Sequence, residues 1–321
     1  MHHFFKYLFA IASLFIGNSR FSQVKDKPLF TFGVMADVQY ADQDNAGTRH
    51  YRLSPKKLSE AVDSFNLQKV DFVLNLGDFI DKNMSSYDTL NPIAARLTMP
   101  LYHTLGNHEF SVNDSEKDKV LAKENLKAPY YSFVKKKWRF IILNGNDVSL
   151  YAYAKESSKY KEAEVLLQQL KADKLPNAQA WNGAIGKEQL AWLKNELVMA
   201  QKKKEKVILT NHFPLYPEGA SELLWNAKEI RALIESFPVA FAYLNGHVHK
   251  SQYFAENGVH YVSFRGMVEL EDNAYAIISV YKDHLEIKGY GKEVSRMLNR
   301  MDTSFVLPGR TTSQVFRVSE R

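Results

Sequence analysis

Seven side chains that can hold a hard or borderline cation each sit just past an apolar run, and the runs are far apart in the chain. Asp37 and Gln39 follow residues 29–35. Asp78 follows 70–76, inside Gly77-Asp78-Phe79-Ile80-Asp81. Asn107 follows 101–105, inside Gly106-Asn107-His108-Glu109. His212 follows 207–210, and His247 and His249 follow 239–244 within Gly246-His247-Val248-His249. These are oxygen and imidazole donors with no thiolate, a set that suits Mn²⁺, Fe²⁺ or Zn²⁺. Two such ions side by side would clamp a phosphate and generate hydroxide near neutral pH for in-line attack on phosphorus.

Alone, each motif reads as a turn or a helix cap. Their joint occurrence, each at the end of an apolar run, makes the metal reading the stronger one. Asp78 has two carboxylate oxygens and is the natural bridge between ions. Asp37 and Gln39, two residues apart on a strand, share a face. They fit one ion together with His249. Asn107 and His212 fit the other, and by the same alternation His247 lies near both. His108 is not needed as a ligand and is the candidate general acid or transition-state stabiliser. Asp81 either bonds the His108 ring or caps a helix.

The apolar runs read as buried strands, so every motif lies at a strand's carboxyl end, where α/β sheets bind their ligands. Helix signals alternate with them. Ser54-Pro55 opens a helix with Ser54 as its cap and apolar residues at 58, 61, 62, 65 and 67. A second helix spans 86–97, a third lies near 160–172 inside an otherwise irregular insertion at 150–185, and a fourth spans 187–202. Residues 130–143 form a hairpin with a lysine turn, and 252–290 alternate as strands. Parallel strands with crossover helices, followed by antiparallel strands, imply two packed sheets covered by helices on their outer faces.

The chain has 321 residues, 45% hydrophobic and 24% charged, with a formal charge of +6 and no cysteine. Disulfides, cysteine–zinc sites and thiol nucleophiles are therefore excluded. No basic run interleaved with aromatics points to nucleic acid. Residues 1–22 read as a signal peptide: Lys6 with two histidines, an apolar stretch at 7–17, then small residues. That stretch is too short to span a bilayer. The expected organisation is thus a signal peptide at 1–22, one domain at 23–301 and a tail at 302–321. The expected location is periplasmic or secreted, with no membrane span after cleavage.

The set Asp37-x-Gln39, Gly77-Asp78-x-x-Asp81, Gly106-Asn107-His108-Glu109, His212 and Gly246-His247-x-His249 resembles the calcineurin-like metallophosphoesterases. The resemblance implies a four-layer α/β/β/α sandwich of two packed mixed sheets and a dinuclear metal centre. It puts Asp37, Gln39, Asp78 and His249 on one ion. Asp78, Asn107, His212 and His247 fall on the other, with His108 catalytic beside Asp81. Most members carry His where this chain has Gln39. A neutral amide suits a harder ion, favouring Mn²⁺ over Fe²⁺ or Zn²⁺.

Asp-x-Gln, Gly47-Thr48-Arg49, Asn182-Gly183 and Pro214-Leu215-Tyr216-Pro217 are similar to a narrower group, the Mn²⁺-dependent ADP-ribose/CDP-alcohol diphosphatases. That group implies cleavage of the diphosphate linkage in small nucleotide substrates. Arg49 and Arg52 are then candidates for the distal phosphate or ribose, and Tyr40, Phe110, Phe213 and Tyr216 for stacking on a base. A monomer is the expected assembly. Two other readings are a broad extracytoplasmic phosphodiesterase or phosphomonoesterase, and a non-catalytic binding protein on the same scaffold. The second predicts missing ligands or a missing His108, and none is missing.

Overall fold

The computed structural model describes residues 27–301. The expected signal peptide at 1–22 and the tail at 302–321 lie outside the described residues. In chain order the strands are β1 (Phe30–Met35), β2 (Phe72–Asn75), β3 (Leu101–His103), β4 (Tyr131–Lys135), β5 (Trp138–Ile142), β6 (Val148–Ser149) and β7 (Gly183–Ala184). Then follow β8 (Lys206–Thr210), β9 (Ala240–Asn245), β10 (Gln252–Glu256), β11 (Val259–Ser263), β12 (Ala274–Val280), β13 (His284–Gly291) and β14 (Arg296–Asn299). The helices are α1 (Ser54–Gln68), α2 (Ser86–Ala94), α3 (Val120–Lys123), α4 (Ser158–Ala172), α5 (Lys187–Lys203) and α6 (Ala227–Glu235).

One six-stranded sheet has the order β14-β13-β12-β1-β2-β3, the other β10-β11-β9-β8-β5-β4. Both are mixed. In the first, β1, β2 and β3 run parallel and β12 pairs antiparallel with β1. In the second, β5, β8, β9 and β11 run parallel, and β4 and β10 close the edges antiparallel. The division does not follow the chain: the late strands β12–β14 return to the first sheet. The short strand β14 and the β6–β7 pair were not legible as strands.

The sheets face each other across an aromatic core. Phe32 and Phe72 stack at 5.1 Å, and Phe140 from the opposite sheet meets Phe72 edge-on, also at 5.1 Å. Such pairs add roughly 0.5–1.5 kcal/mol each beyond area burial. A second apolar layer, including Leu58, Val62 and Phe65, lies under α1, and a third, including Leu193, Leu197 and Ile230, under α5 and α6. Helix, sheet, sheet and helix thus make four layers, as expected.

Two helix ends depart from the expectation. Ser54 is the first residue of α1 and not its cap, because the helical turn Tyr51–Leu53 runs straight into it. Helix α2 stops at Ala94, short of 97.

Parallel pairing puts the strand ends level. Met35 lies opposite Asn75, and Asn75 opposite His103; in the other sheet Thr210 lies opposite Leu244. The Thr104 and Thr210 hydroxyls, 2.9 Å apart, join the two sheets just beneath this edge.

Candidate metal centre

The loops leaving β1, β2, β3, β8 and β9 converge over that edge. Asp37 and Gln39 do not reach it by strand alternation, since β1 ends at Met35. Asp37 (φ 49°), Gln39 (φ 48°), Asp78 (φ 54°), His247 (φ 71°) and His249 (φ 54°) all have left-handed backbone. Non-glycine residues adopt this region uncommonly, and clusters of such strain mark functional sites. The loops hold one another: Asp37 N–H donates to Gly77 O at 3.0 Å and Gln39 N–H to Asp78 O at 2.7 Å. The glycines are needed for closeness. A Cβ on Gly77 would lie 2.6 Å from His212 Nδ1, and one on Gly246 would lie 2.6 Å from Asp37 Oδ2.

Two ligand clusters share one residue. Asp78, His212 and His247 bring donor atoms within 4.8 Å of one another, and so do Asp37, Asp78 and His249. Asp78 stands between them, which is the bridging position. His212 Nδ1 lies 3.0 Å from Leu76 O, which can only accept, so Nδ1 carries the proton and Nε2 faces the centre. Nε2 lies 3.1 Å from Asp78 Oδ2 and 3.1 Å from His247 Nδ1. His249 Nε2 lies 3.3 Å from Asp37 Oδ1.

The fit to cations rests on atoms left without partners. Gln39 is fully buried, yet neither its Oε1 nor its Nε2 has a hydrogen-bond partner, and Asn107 Oδ1 is equally bare. Buried polar atoms are normally paired. An amide oxygen with no protein partner, one on each of these two residues, is what coordination would occupy.

Electrostatics agree. Burial alone would lower the pKa of His212, but the Asp78 carboxylate outweighs it and raises the value to about 9. His249 goes the same way, to about 9, beside Asp37. His247 is pushed well below its ordinary value by burial and by neighbouring His212. Burial opposes ionisation of Asp78, yet His212 and His108 hold its pKa far down. The crowded carboxylates demand positive charge, which protons on imidazoles supply here and a divalent ion can supply instead.

His108 stands at the mouth. Its backbone N–H donates to Asp78 Oδ1 at 2.8 Å, and its Nδ1 lies 2.7 Å from Asp81 Oδ1. Asp81 accepts the Nδ1 proton and leaves Nε2 toward the cleft, 4.0 Å from Asp78 Oδ2. Burial works against the imidazolium, but Asp78 and Asp81 together raise the pKa of His108. Asp81 also stands near the start of α2, where its carbonyl accepts from Ser86 Oγ. Its carboxylate, however, is spent on His108, not on a cap.

Four supporting residues were not assigned from sequence. Glu269 Oε1 lies 2.6 Å from His249 Nδ1 and fixes that ring. The signal was present, because Gly266-Met267-Val268-Glu269 follows a buried strand as the other motifs do. Asn182 Oδ1 lies 3.1 Å from His247 Nε2. Glu109 accepts backbone N–H groups from Asp78, Phe79 and Gly106, at 3.1, 2.6 and 3.0 Å, clasping two ligand loops together. Burial and nearby Asp78 raise its pKa to about 8. Lys57 Nζ, buried far from the cleft in sequence, donates to the carbonyls of Met267, Glu269 and Leu270 and so pins the loop that carries Glu269.

The cleft above the centre holds about 550 Å³ and is walled by Arg49, Tyr151, Trp181 and Glu222 beside the ligand residues. Arg49 lines this cleft, and the other substrate candidates do not. Arg52 points to solvent and pairs with Asp42 and Asp44. Tyr40 and Phe110 pack in the layer under α1. Phe213 is fully buried under α5 and α6, its ring edge-on to His247. Tyr216 lies beneath the Arg231 guanidinium, 4.3 Å from its ring centre, and against Phe254. Each aromatic follows a ligand loop, but the chain has turned back into the core by then. None of these four aromatics lines the cleft.

A sequence profile described as calcineurin-like phosphoesterase matches residues 30–251. The chain belongs to this family. Within it, the phosphoesterase is 30% identical over 333 residues to a Xenopus laevis protein named manganese-dependent ADP-ribose/CDP-alcohol diphosphatase, covering 88% of this chain and 93% of that one. A Homo sapiens protein of the same name is 31% identical over 318 residues, covering 84% and 93%. The crystal structure of a dimetal phosphatase from Danio rerio superposes with a TM-score of 0.76 at 26% identity, covering 86% of this chain and all of that one. The phosphoesterase is thus a hydrolase of the metal-dependent type, with the four-layer fold of its relatives. No helix among the described residues is long and apolar enough to cross a membrane.

Proposed function

We propose that this phosphoesterase hydrolyses the diphosphate linkage of nucleoside diphosphate derivatives such as ADP-ribose or CDP-alcohols. The observation that carries the reading is Asp78 shared between two ligand clusters, with His108 poised beside it. The names of the curated relatives supply the substrate class and manganese. Asp37, Gln39, Asp78 and His249 would hold one divalent ion; Asp78, Asn107, His212 and His247 would hold the other. When bound, the ions supply charge on the phosphoryl oxygens and a water of lowered pKa.

The protein's own groups do the rest. A water oxygen adds to one phosphorus, and the bridging P–O bond breaks on the opposite side. His108, whose pKa Asp78 and Asp81 raise against burial, would face the departing phosphate and stabilise its charge. A phosphate leaving group is a weak base, so electrostatic help matters more than full proton transfer. Arg49, its side chain bonded to Tyr51, offers a fixed guanidinium to the second phosphate.

The test is a Mn²⁺ assay of the purified protein on ADP-ribose, CDP-choline, bis-p-nitrophenyl phosphate and p-nitrophenyl phosphate. The diphosphates should have the highest kcat/KM. Faster turnover of p-nitrophenyl phosphate would replace the reading with a phosphomonoesterase. Residues 1–22 support export to the periplasm or medium, and cell fractionation with N-terminal sequencing of the mature protein tests this.

A further inference from the structure

One wall of the cleft is unlike the rest. Trp181 leaves 42% of its surface exposed there, whereas Trp138 and Trp225 are buried in cores. The same cleft is lined by Glu222, a carboxylate among phosphate-binding candidates. Glu222 belongs to neither ligand cluster. Its one hydrogen bond comes from the Ser221 hydroxyl, at 3.0 Å, and no ion-pair partner for it lies among the described residues.

The wall is rigid and tied to the centre. Asn182 is fully buried. Its Nδ2 donates to Ser221 O at 2.6 Å and to Asn177 O at 3.1 Å, while its Oδ1 meets His247. Asn177 Nδ2 donates to Leu224 O at 2.7 Å, and Trp225 N–H to Gly183 O at 2.7 Å. These bonds sew the segment bearing Trp181 to the segment bearing Glu222. The segments that carry the indole and the carboxylate are therefore tied to one another and, through Asn182, to His247.

A lone carboxylate opposes a polyanionic substrate unless the substrate brings a cation to meet it. An aromatic face beside a carboxylate is the chemistry that recognises ammonium groups, quaternary ones above all. We propose that Trp181 and Glu222 form a half-cage that selects nucleoside diphosphate derivatives whose alcohol carries a cationic amine over those whose second group is a neutral sugar or polyol. This rests on the diphosphatase reading and narrows its substrate class. The phosphates lie over the centre and against Arg49, and the amine end lies against the Trp181–Glu222 wall.

The test measures kcat/KM with Mn²⁺ for CDP-choline and CDP-glycerol, which differ in the alcohol alone. The wild type should favour CDP-choline. Trp181→Ala and Glu222→Gln should each lower the ratio of the two kcat/KM values about 5- to 30-fold, the size of a cation–π or charge contact in a partly desolvated site. Trp181→Phe should restore most of the ratio. A ratio near one in the wild type, or variants that lose both substrates equally, overturns the half-cage.

A second measurement is independent of diphosphatase activity. Phosphocholine should inhibit hydrolysis of bis-p-nitrophenyl phosphate more strongly than glycerol 3-phosphate does, and Glu222→Gln should erase the difference. Quenching of protein fluorescence by phosphocholine should likewise vanish in Trp181→Phe. If the half-cage is right but the diphosphatase reading is wrong, these two results hold while the CDP substrates are not cleaved. If both phosphate esters inhibit alike in the wild type, the half-cage is wrong whatever the reaction.

Discussion

Replacing Glu269 by Gln isolates one residue that bears on the centre through His249. In the wild type its carboxylate lies 2.6 Å from His249 Nδ1, and its side chain is only 12% exposed. A hydrogen bond with one charged partner in such a place contributes roughly 1.5–3 kcal/mol. The amide keeps an oxygen near Nδ1 but loses the charge that makes the ring a strong donor. Loss of a carboxylate behind a ligating histidine lowers ion affinity about 10- to 100-fold. That is about 1.4–2.7 kcal/mol, so the two routes agree. The effect should fall on one ion alone, because His249 groups with Asp37 and Asp78, whereas His212 and His247 form the other set. Titrating metal-free protein with Mn²⁺, followed by electron paramagnetic resonance of the free ion, should show two binding phases in the wild type. In Glu269→Gln one phase should weaken by the stated factor while the other stays. If both weaken together, or neither does, Glu269 does not act through His249 and the division of ligands is wrong.

Asp78→Asn removes the shared carboxylate and should reduce bound metal to less than one ion per chain with turnover near background; normal activity in that variant refutes the bridge. His108→Ala should keep both ions by elemental analysis yet lose about 10²–10⁴-fold in kcat, and loss of metal instead would make His108 a ligand. Gln39→His replaces the unpartnered amide with an imidazole and should shift the preferred ion from Mn²⁺ toward Zn²⁺ or Fe²⁺. An unchanged metal profile in reactivation assays would show that the amide oxygen does not coordinate.

Much of the centre was legible because ligand chemistry restricts residue type. Asp, Asn, Gln and His in short Gly-flanked motifs after apolar runs mark strand ends, and strand ends in parallel sheets meet at one edge. Asp37, Asp78, His212, His247 and His249 could be read together for that reason. Gln39 and Asn107 joined them as the amides of the same motifs. Strand alternation does not aim Asp37, Gln39, His247 and His249; left-handed backbone past the ends of β1 and β9 does so. Local sequence does not reveal this, since non-glycine residues enter that region only when surrounding contacts compel them.

What the sequence determined by itself was the identity of the chemical groups and the layers beneath them, because periodicity and donor type are local properties. What only the tertiary structure decided was direction and adjacency. Phe213 and Tyr216 follow a ligand as closely in sequence as a base-binding residue would, but packing turns them inward. Trp181 and Glu222 are forty-one residues apart in number, yet hydrogen bonds through Asn182 join their segments at the cleft. Whether a side chain faces core or cleft depends on which distant backbone accepts its neighbours' hydrogen bonds, and no local pattern encodes that.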